Sequence, residues 1–193
     1  MSACIVAGLG NPGAKYANTR HNLGFWAIDR LLAKHRAQPT EKFSAVFADV
    51  TLGEHRVFFL KPQTFMNLSG DSVGVAAGFY KIPPERVLVL TDDIDIPPGA
   101  VRIRPGGGSG GHNGLRSIAQ VLGTDEFPRI RLGVGRSPIG TMAADVWVLA
   151  AIDAASRAVL DETAQWGADA AESWITDGVE KTMNRFNRKG TSP

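Results

Sequence analysis

The chain has 193 residues, 44% of them hydrophobic and 21% charged, with a mean hydropathy of -0.06 and a formal net charge of +2. That is the length of one well-packed domain and the composition of an ordinary globular protein, which excludes disordered and fibrous classes. No apolar run is long enough to span a membrane, no basic leader precedes an apolar stretch, and the lone Cys4 cannot form an internal disulfide, so a reducing cytoplasm is the expected home.

In chain order, Ile5–Gly8 reads as a first apolar strand that runs into the turn Gly8-Leu9-Gly10-Asn11-Pro12-Gly13. Thr19-Arg20-His21-Asn22-Leu23-Gly24 follows and opens a helix predicted over 22–35, with Phe25, Ile28, Leu31 and Leu32 at core-facing spacing. His21 is thereby set at or near a helix N-terminus, beyond the carboxyl end of a strand, where open α/β sheets bind their ligands. Taken alone, Asn22 also reads as a helix cap and His21 as a solvated loop residue. Gly8-x-Gly10-x-x-Gly13 formally matches the dinucleotide-binding fingerprint, but that motif needs a helix to start within the turn. Here Pro12, Gly13 and a polar stretch through Arg20 intervene, and Asp29 falls inside the helix rather than at the end of a second strand. The turn reads better as a rigid device that aims the Asn11 side chain.

Strands are predicted next over 44–52 and 56–61, joined by a hairpin turn that makes the sheet mixed rather than all parallel. Pro62–Gly70 then leaves a strand and enters a helix over 69–80. Asn67 or Ser69 can serve as its cap, while Phe65 beside an amide side chain can stack on a base or sugar. The strand over 87–91 ends in the carboxylates Asp92, Asp93 and Asp95. These suit either a metal site, with His21 or His112 as further ligands, or a carboxylate that fixes the tautomer of an imidazole base. The second use is the more economical, since no other histidine or cysteine spacing supports a transition metal.

After a strand over 100–104, the glycine-rich run Gly106–Gly114 lacks the Lys-Ser/Thr ending of a phosphate-binding loop. Its glycines permit close backbone approach to a ligand and movement on binding. His112 and Asn113 open a helix over 113–122, where partial positive charge favours an anion or a developing oxyanion. A strand over 130–135 and a helix over 154–176 complete an α/β fold, read as a single domain over 1–188 with a flexible tail at 189–193. Trp147, Trp166 and Trp174 are expected to be packing residues.

Charge is unevenly distributed: 96–136 carries six arginines (102, 104, 116, 129, 131, 136) against Asp125 and Glu126, whereas 139–180 carries eight acids and one base, Arg157. Arginines beside a glycine-rich loop suit an anionic partner such as a nucleic-acid backbone. No serine has the context of a catalytic nucleophile, and Cys4 lies in the core. A histidine base, an orienting carboxylate and several asparagines are left, whose simplest use is activation of water against an acyl carbon.

Six blocks in register, Gly8–Gly13, Thr19–Gly24, Thr64–Gly70, Asp92–Gly99, Gly106–Gly114 and Phe127–Gly135, together with Tyr16 and the late Trp174–Gly178, resemble the bacterial peptidyl-tRNA hydrolases over nearly the whole chain. The resemblance implies a monomer with a twisted mixed β-sheet flanked by α-helices and no cofactor or metal requirement. It further implies hydrolysis of the ester that joins a peptide to the terminal ribose of tRNA, recycling peptidyl-tRNA dropped by ribosomes. By it, His21 is the catalytic base, Asp92 the carboxylate that keeps it basic, and Asn11 the residue that favours blocked over free aminoacyl-tRNA. Asn67 and Asn113 correspond to positions that bind the peptide backbone and the terminal nucleotide, and Tyr16 and Phe65 to substrate contacts. Arg131 matches a basic tRNA contact, Arg104 stands where relatives often carry lysine, and Thr91 stands where histidine is common. Some relatives of this fold bind RNA without hydrolysing it, which is the rival reading.

Overall fold

Residues 2–187 are described by the computed structural model, so the expected tail at 189–193 lies outside them. Seven strands form one mixed sheet in the order β2-β3-β4-β1-β5-β7-β6. They are β1 (Ser2–Gly8), β2 (Thr40–Lys42), β3 (Ala45–Leu52), β4 (His55–Pro62), β5 (Val87–Asp93), β6 (Val101–Arg104) and β7 (Arg129–Gly133). The helices are α1 (Leu23–Lys34), α2 (Ser69–Tyr80), α3 (Asn113–Leu122), α4 (Ala144–Leu149), α5 (Ala154–Asp177) and α6 (Val179–Phe186).

The centre of the sheet, β4-β1-β5-β7, is parallel; β2, β3 and β6 are antiparallel additions at its two edges. Its central strands are buried on both faces, as parallel strands covered by helices must be. Cys4, Val6, Phe59, Leu88 and Leu90 pack toward α1, α5 and α6, while Ile5, Ala7, Phe58, Leu60, Val87 and Val89 pack toward α2 and α3. β1 sends its chain through α1 toward β4, and β5 continues on the other side toward β7. Strand order therefore reverses between β1 and β5, and the crevice beyond their carboxyl ends is where such a sheet offers a ligand site.

Glycine at positions 8 and 24 lets α1 approach that crevice. A methyl group on Gly8 would overlap the Gly24 carbonyl, and one on Gly24 would overlap the Leu9 and Leu90 backbones. Gly10 likewise faces the Phe25 ring. Gly8 and Gly10 of the spacing that imitates a nucleotide fingerprint thus serve helix–strand packing, Gly13 is a turn residue at φ 97° with open space around it, and α1 starts only at Leu23, well beyond it. Of the three tryptophans expected to pack, Trp174 is buried and Trp147 half-buried, while Trp166, 52% exposed, packs only edge-on against Phe186 of α6, with ring centres 5.9 Å apart.

Candidate active site

His21 sits in a single 3-10 turn, Arg20–Asn22, that leads directly into α1. The turn is fastened from both sides. Asn22 does not cap α1; its buried carboxamide reaches back to the turn after β1, accepting from Asn11 N–H at 2.8 Å and donating to Asn11 O at 2.9 Å. Arg20 is buried with its guanidinium 3.5 Å from the centre of the Trp147 ring, and Trp147 in turn donates its indole N–H to Gly135 O at 2.8 Å. His21 therefore lies on a rigid platform at the strand ends.

At the end of β5, the buried Asp92 receives His21 Nδ1 on both oxygens, at 2.9 and 3.1 Å. Among the described residues Nε2 of His21 has no protein partner, and the ring keeps 13% of its surface exposed. This is the arrangement a general base requires: one nitrogen oriented by a carboxylate, the other open. Burial pulls the His21 pKa down, yet the charge and hydrogen bond of Asp92 outweigh it and the net direction is up from the ordinary 6.5. For Asp92 burial favours the neutral acid, but His21 and His112 outweigh it and hold the carboxyl far below the usual range.

His112 is the partner that sequence reasoning left outside the catalytic set. Its Nε2 lies 3.1 Å from Asp92 Oδ1 and 2.7 Å from Thr91 Oγ1, and its ring centre is 5.1 Å from that of His21. Its Nδ1 caps α3, accepting from Gly114 N–H at 3.2 Å and Leu115 N–H at 3.4 Å. Those N–H groups, expected to favour an oxyanion, are thus taken by the imidazole. The cue was present: a polar residue immediately ahead of a helical pattern is a cap candidate.

His21, Asp92 and His112 are also the one cluster of metal-ligating type among the described residues. Its members are already joined by N–H···O bonds. Asp93 and Asp95, the other carboxylates considered for a metal, pair instead with Arg131 at 2.5 Å and Arg136 at 2.5 Å.

Asn11 is nearly buried, and its Oδ1 accepts from Met66 N–H at 2.8 Å. That bond fixes the orientation of the carboxamide, so Nδ2, which has no partner among the described residues, is the group it presents. Met66 belongs to a 3-10 turn, Met66–Leu68, ahead of α2, which brings Phe65 (56% exposed) and the exposed Asn67 to the same end of the sheet. Asn113, the first residue of α3, is exposed beside His112. Tyr16 is half-buried in the turn between Gly13 and Thr19.

The arginines separate into two roles. In the antiparallel register Arg102 opposes Arg131 and Arg104 opposes Arg129, so all four project from one face of the β6–β7 edge. Arg104 is exposed with no side-chain partner among the described residues, and Arg131 is half-buried against Asp93 rather than against Asp125 or Glu126. Arg129 is fully occupied inside. It binds the carbonyls of Gly107, Gly108, Asp125 and Phe127 and so anchors the glycine-rich loop.

The peptidyl-tRNA hydrolase family model matches residues 5–193. A peptidyl-tRNA hydrolase of Geobacter sp. (strain M21) is 46% identical over 190 residues, covering 98% of this chain and all of that one. That of Desulforamulus reducens is 43% identical over 187 residues, covering 96% and 89%. Among solved structures, peptidyl-tRNA hydrolase from Acinetobacter baumannii superposes with a TM-score of 0.89 at 34% identity, covering 96% of this chain and 95% of that one. A peptidyl-tRNA hydrolase in complex with N-propanol gives 0.90 at 33%, covering 98% and 97%.

Proposed function

The chain belongs to the peptidyl-tRNA hydrolase family, and from that premise we propose that it hydrolyses the ester between a peptide, or an N-blocked amino acid, and tRNA, with His21 as the general base. The observation that carries the mechanism is the open Nε2 of a histidine whose Nδ1 is held by both oxygens of Asp92. His21 Nε2 takes a proton from a water molecule as the oxygen attacks the ester carbonyl carbon. Asp92 stabilises the imidazolium that forms and stays ionised itself. Collapse of the tetrahedral intermediate expels the ribose oxygen, which recovers the proton from His21, so acid and base steps balance.

Asn11 Nδ2 donates to the first peptide carbonyl of the substrate, a group absent from free aminoacyl-tRNA. Asn67 and Asn113 hold the peptide backbone and the terminal nucleotide, Tyr16 and Phe65 contact the substrate, and Arg104 and Arg131 meet the tRNA backbone. No helix of the described residues is long and apolar enough to cross a membrane; the protein acts as a cytoplasmic monomer that recycles peptidyl-tRNA dropped during translation.

Hydrolysis of N-acetyl-aminoacyl-tRNA with and without chelator tests this. His21→Ala should lower turnover by about 10²–10⁴-fold while tRNA affinity stays near normal, because a general base acts in the transition state. Near-normal turnover in that variant would overturn the mechanism, and an inactive wild type that still binds tRNA would favour a binding module.

A further inference from the structure

Thr91 is 1% exposed at the end of β5, and its hydroxyl lies 2.7 Å from His112 Nε2, closer than the 3.1 Å from that nitrogen to Asp92 Oδ1. The other nitrogen of the ring fixes the tautomer. Nδ1 of His112 faces the N–H groups of Gly114 and Leu115 and accepts from both, so the ring proton resides on Nε2. Two acceptors stand before that N–H, the Thr91 oxygen and the carboxylate. The Thr91 hydroxyl hydrogen has only the Asp92 main-chain oxygen at 3.5 Å, a weak contact that leaves the hydroxyl oxygen free to accept.

Asp92 is therefore contested by two imidazoles, His21 at 2.9 and 3.1 Å and His112 at 3.1 Å. Resting on the reading of His21 as the base, we propose that Thr91 is a positioning residue whose hydroxyl draws the His112 N–H aside and reserves the Asp92 carboxylate for His21. The groups that face His21 are few. Asp92 comes from β5 and His112 from the head of α3; Arg20 shares its turn and lies against Trp147 of α4, and the first turn of α1 carries no charge. An altered balance at Asp92 must then appear in how readily His21 holds a proton.

The test is the pH profile of kcat/KM on N-acetyl-aminoacyl-tRNA for the wild type, Thr91→Val and Thr91→Ser. In Thr91→Val the His112 N–H turns wholly to Asp92, the pull on His21 weakens, and the acid limb should move to lower pH by about half a unit. Thr91→Ser, which restores the acceptor, should keep the limb of the wild type. In a His112→Gln background the Thr91→Val change should move the limb no further. If Thr91→Val does not fold, Thr91→Cys takes its place, because a thiol fills similar space but accepts poorly. Coincident limbs for the valine (or cysteine) and serine variants, or an equal shift in the His112→Gln background, refute the assignment. His21→Ala run alongside separates the two layers. Near-normal turnover there sinks the base itself, whereas an inactive His21→Ala with an unmoved Thr91→Val limb sinks only the role given to Thr91.

Discussion

Replacing Asp92 by Asn removes a charge while keeping the shape that orients His21. The carboxylate receives His21 Nδ1 at 2.9 Å on Oδ1 and 3.1 Å on Oδ2, and His112 Nε2 at 3.1 Å also on Oδ1. A carboxamide whose oxygen takes the Oδ1 position can still accept from both rings, but its NH2 then faces His21 Nδ1–H from the Oδ2 position, 3.1 Å away, so the tautomer of His21 is held less firmly and the electrostatic support is lost. The sign follows from the balance of effects on His21. Burial depresses its pKa, and Asp92 more than reverses that. Without the charge, burial is opposed by no more than a neutral hydrogen bond, and the acid limb of kcat/KM should fall from above the ordinary 6.5 to below it. The base becomes weaker, and the imidazolium of the transition state loses its partner. A hydrogen bond to a charged group is worth about 1.5–3 kcal/mol, and about 1.4 kcal/mol is tenfold in rate, so the plateau should drop by about 10–10²-fold. Rate profiles across the range on either side of neutrality measure both quantities. Stability carries a linked signature. The lowered Asp92 pKa contributes stability above the unfolded value of 3.8 and loses it as pH falls through the folded pKa, while the raised His21 pKa contributes below 6.5 and loses it as pH rises. The Tm gap between wild type and Asp92→Asn should hence be widest between those two values. An acid limb that stays in place in the variant would refute the reasoning.

Asn11→Asp replaces the free amide donor by a second acceptor while keeping the oxygen that holds Met66 N–H. Discrimination between N-blocked and free aminoacyl-tRNA should narrow by about tenfold or more, read as the ratio of the two specificity constants; an unchanged ratio counts against the contact. Arg104→Ala and Arg131→Ala should each weaken binding of all tRNAs and flatten the slope of log K against log salt by roughly one phosphate contact, about 0.7–0.9. A blocked amino acid esterified to a short nucleotide should turn over almost as before, and equal losses on long and minimal substrates would make these arginines structural. Arg129→Gln strips the buried guanidinium from the carbonyls of Gly107, Gly108, Asp125 and Phe127. Global stability should fall by about 2–4 kcal/mol in denaturant melts, and a loss under about 0.5 kcal/mol would mean that the glycine-rich loop does not depend on this anchor.

Where local chemistry acts within one segment, sequence alone determined the outcome. α2 over Ser69–Tyr80 and α3 over Asn113–Leu122 lie at the bounds their patterns predict, the latter closed by Gly123 at φ 73°. The hairpin that makes the sheet mixed was equally legible, with β3 and β4 paired antiparallel through Leu52 and His55. The elements missing from the pattern are β2, α4 and α6. β2 has only three residues and exists by pairing with β3, α4 is held through Trp147 on Arg20, and the end of α6 is tied to β6 by Asn187 on Ile103. Segments that short do not hold their shape by propensity, so their partners decide.

The candidate site divides in the same way. That a histidine and a carboxylate meet was legible because strand ends converge on one crevice, but that the pair is His21 with Asp92, rather than with Asp93 or Asp95, followed only from the family resemblance. The fold alone decided that Asn22 binds the Asn11 backbone instead of capping α1, and that Arg131 faces Asp93. It also decided that Arg129 turns inward to the glycine-rich loop while Arg104, on the same face of the sheet, stays in solvent. Nor does any spacing disclose that His112, across a glycine-rich loop, returns to share Asp92 with His21. A hydrogen bond depends on tenths of an ångström and on direction, and periodicity and composition specify which face a residue occupies but not which atom it meets there.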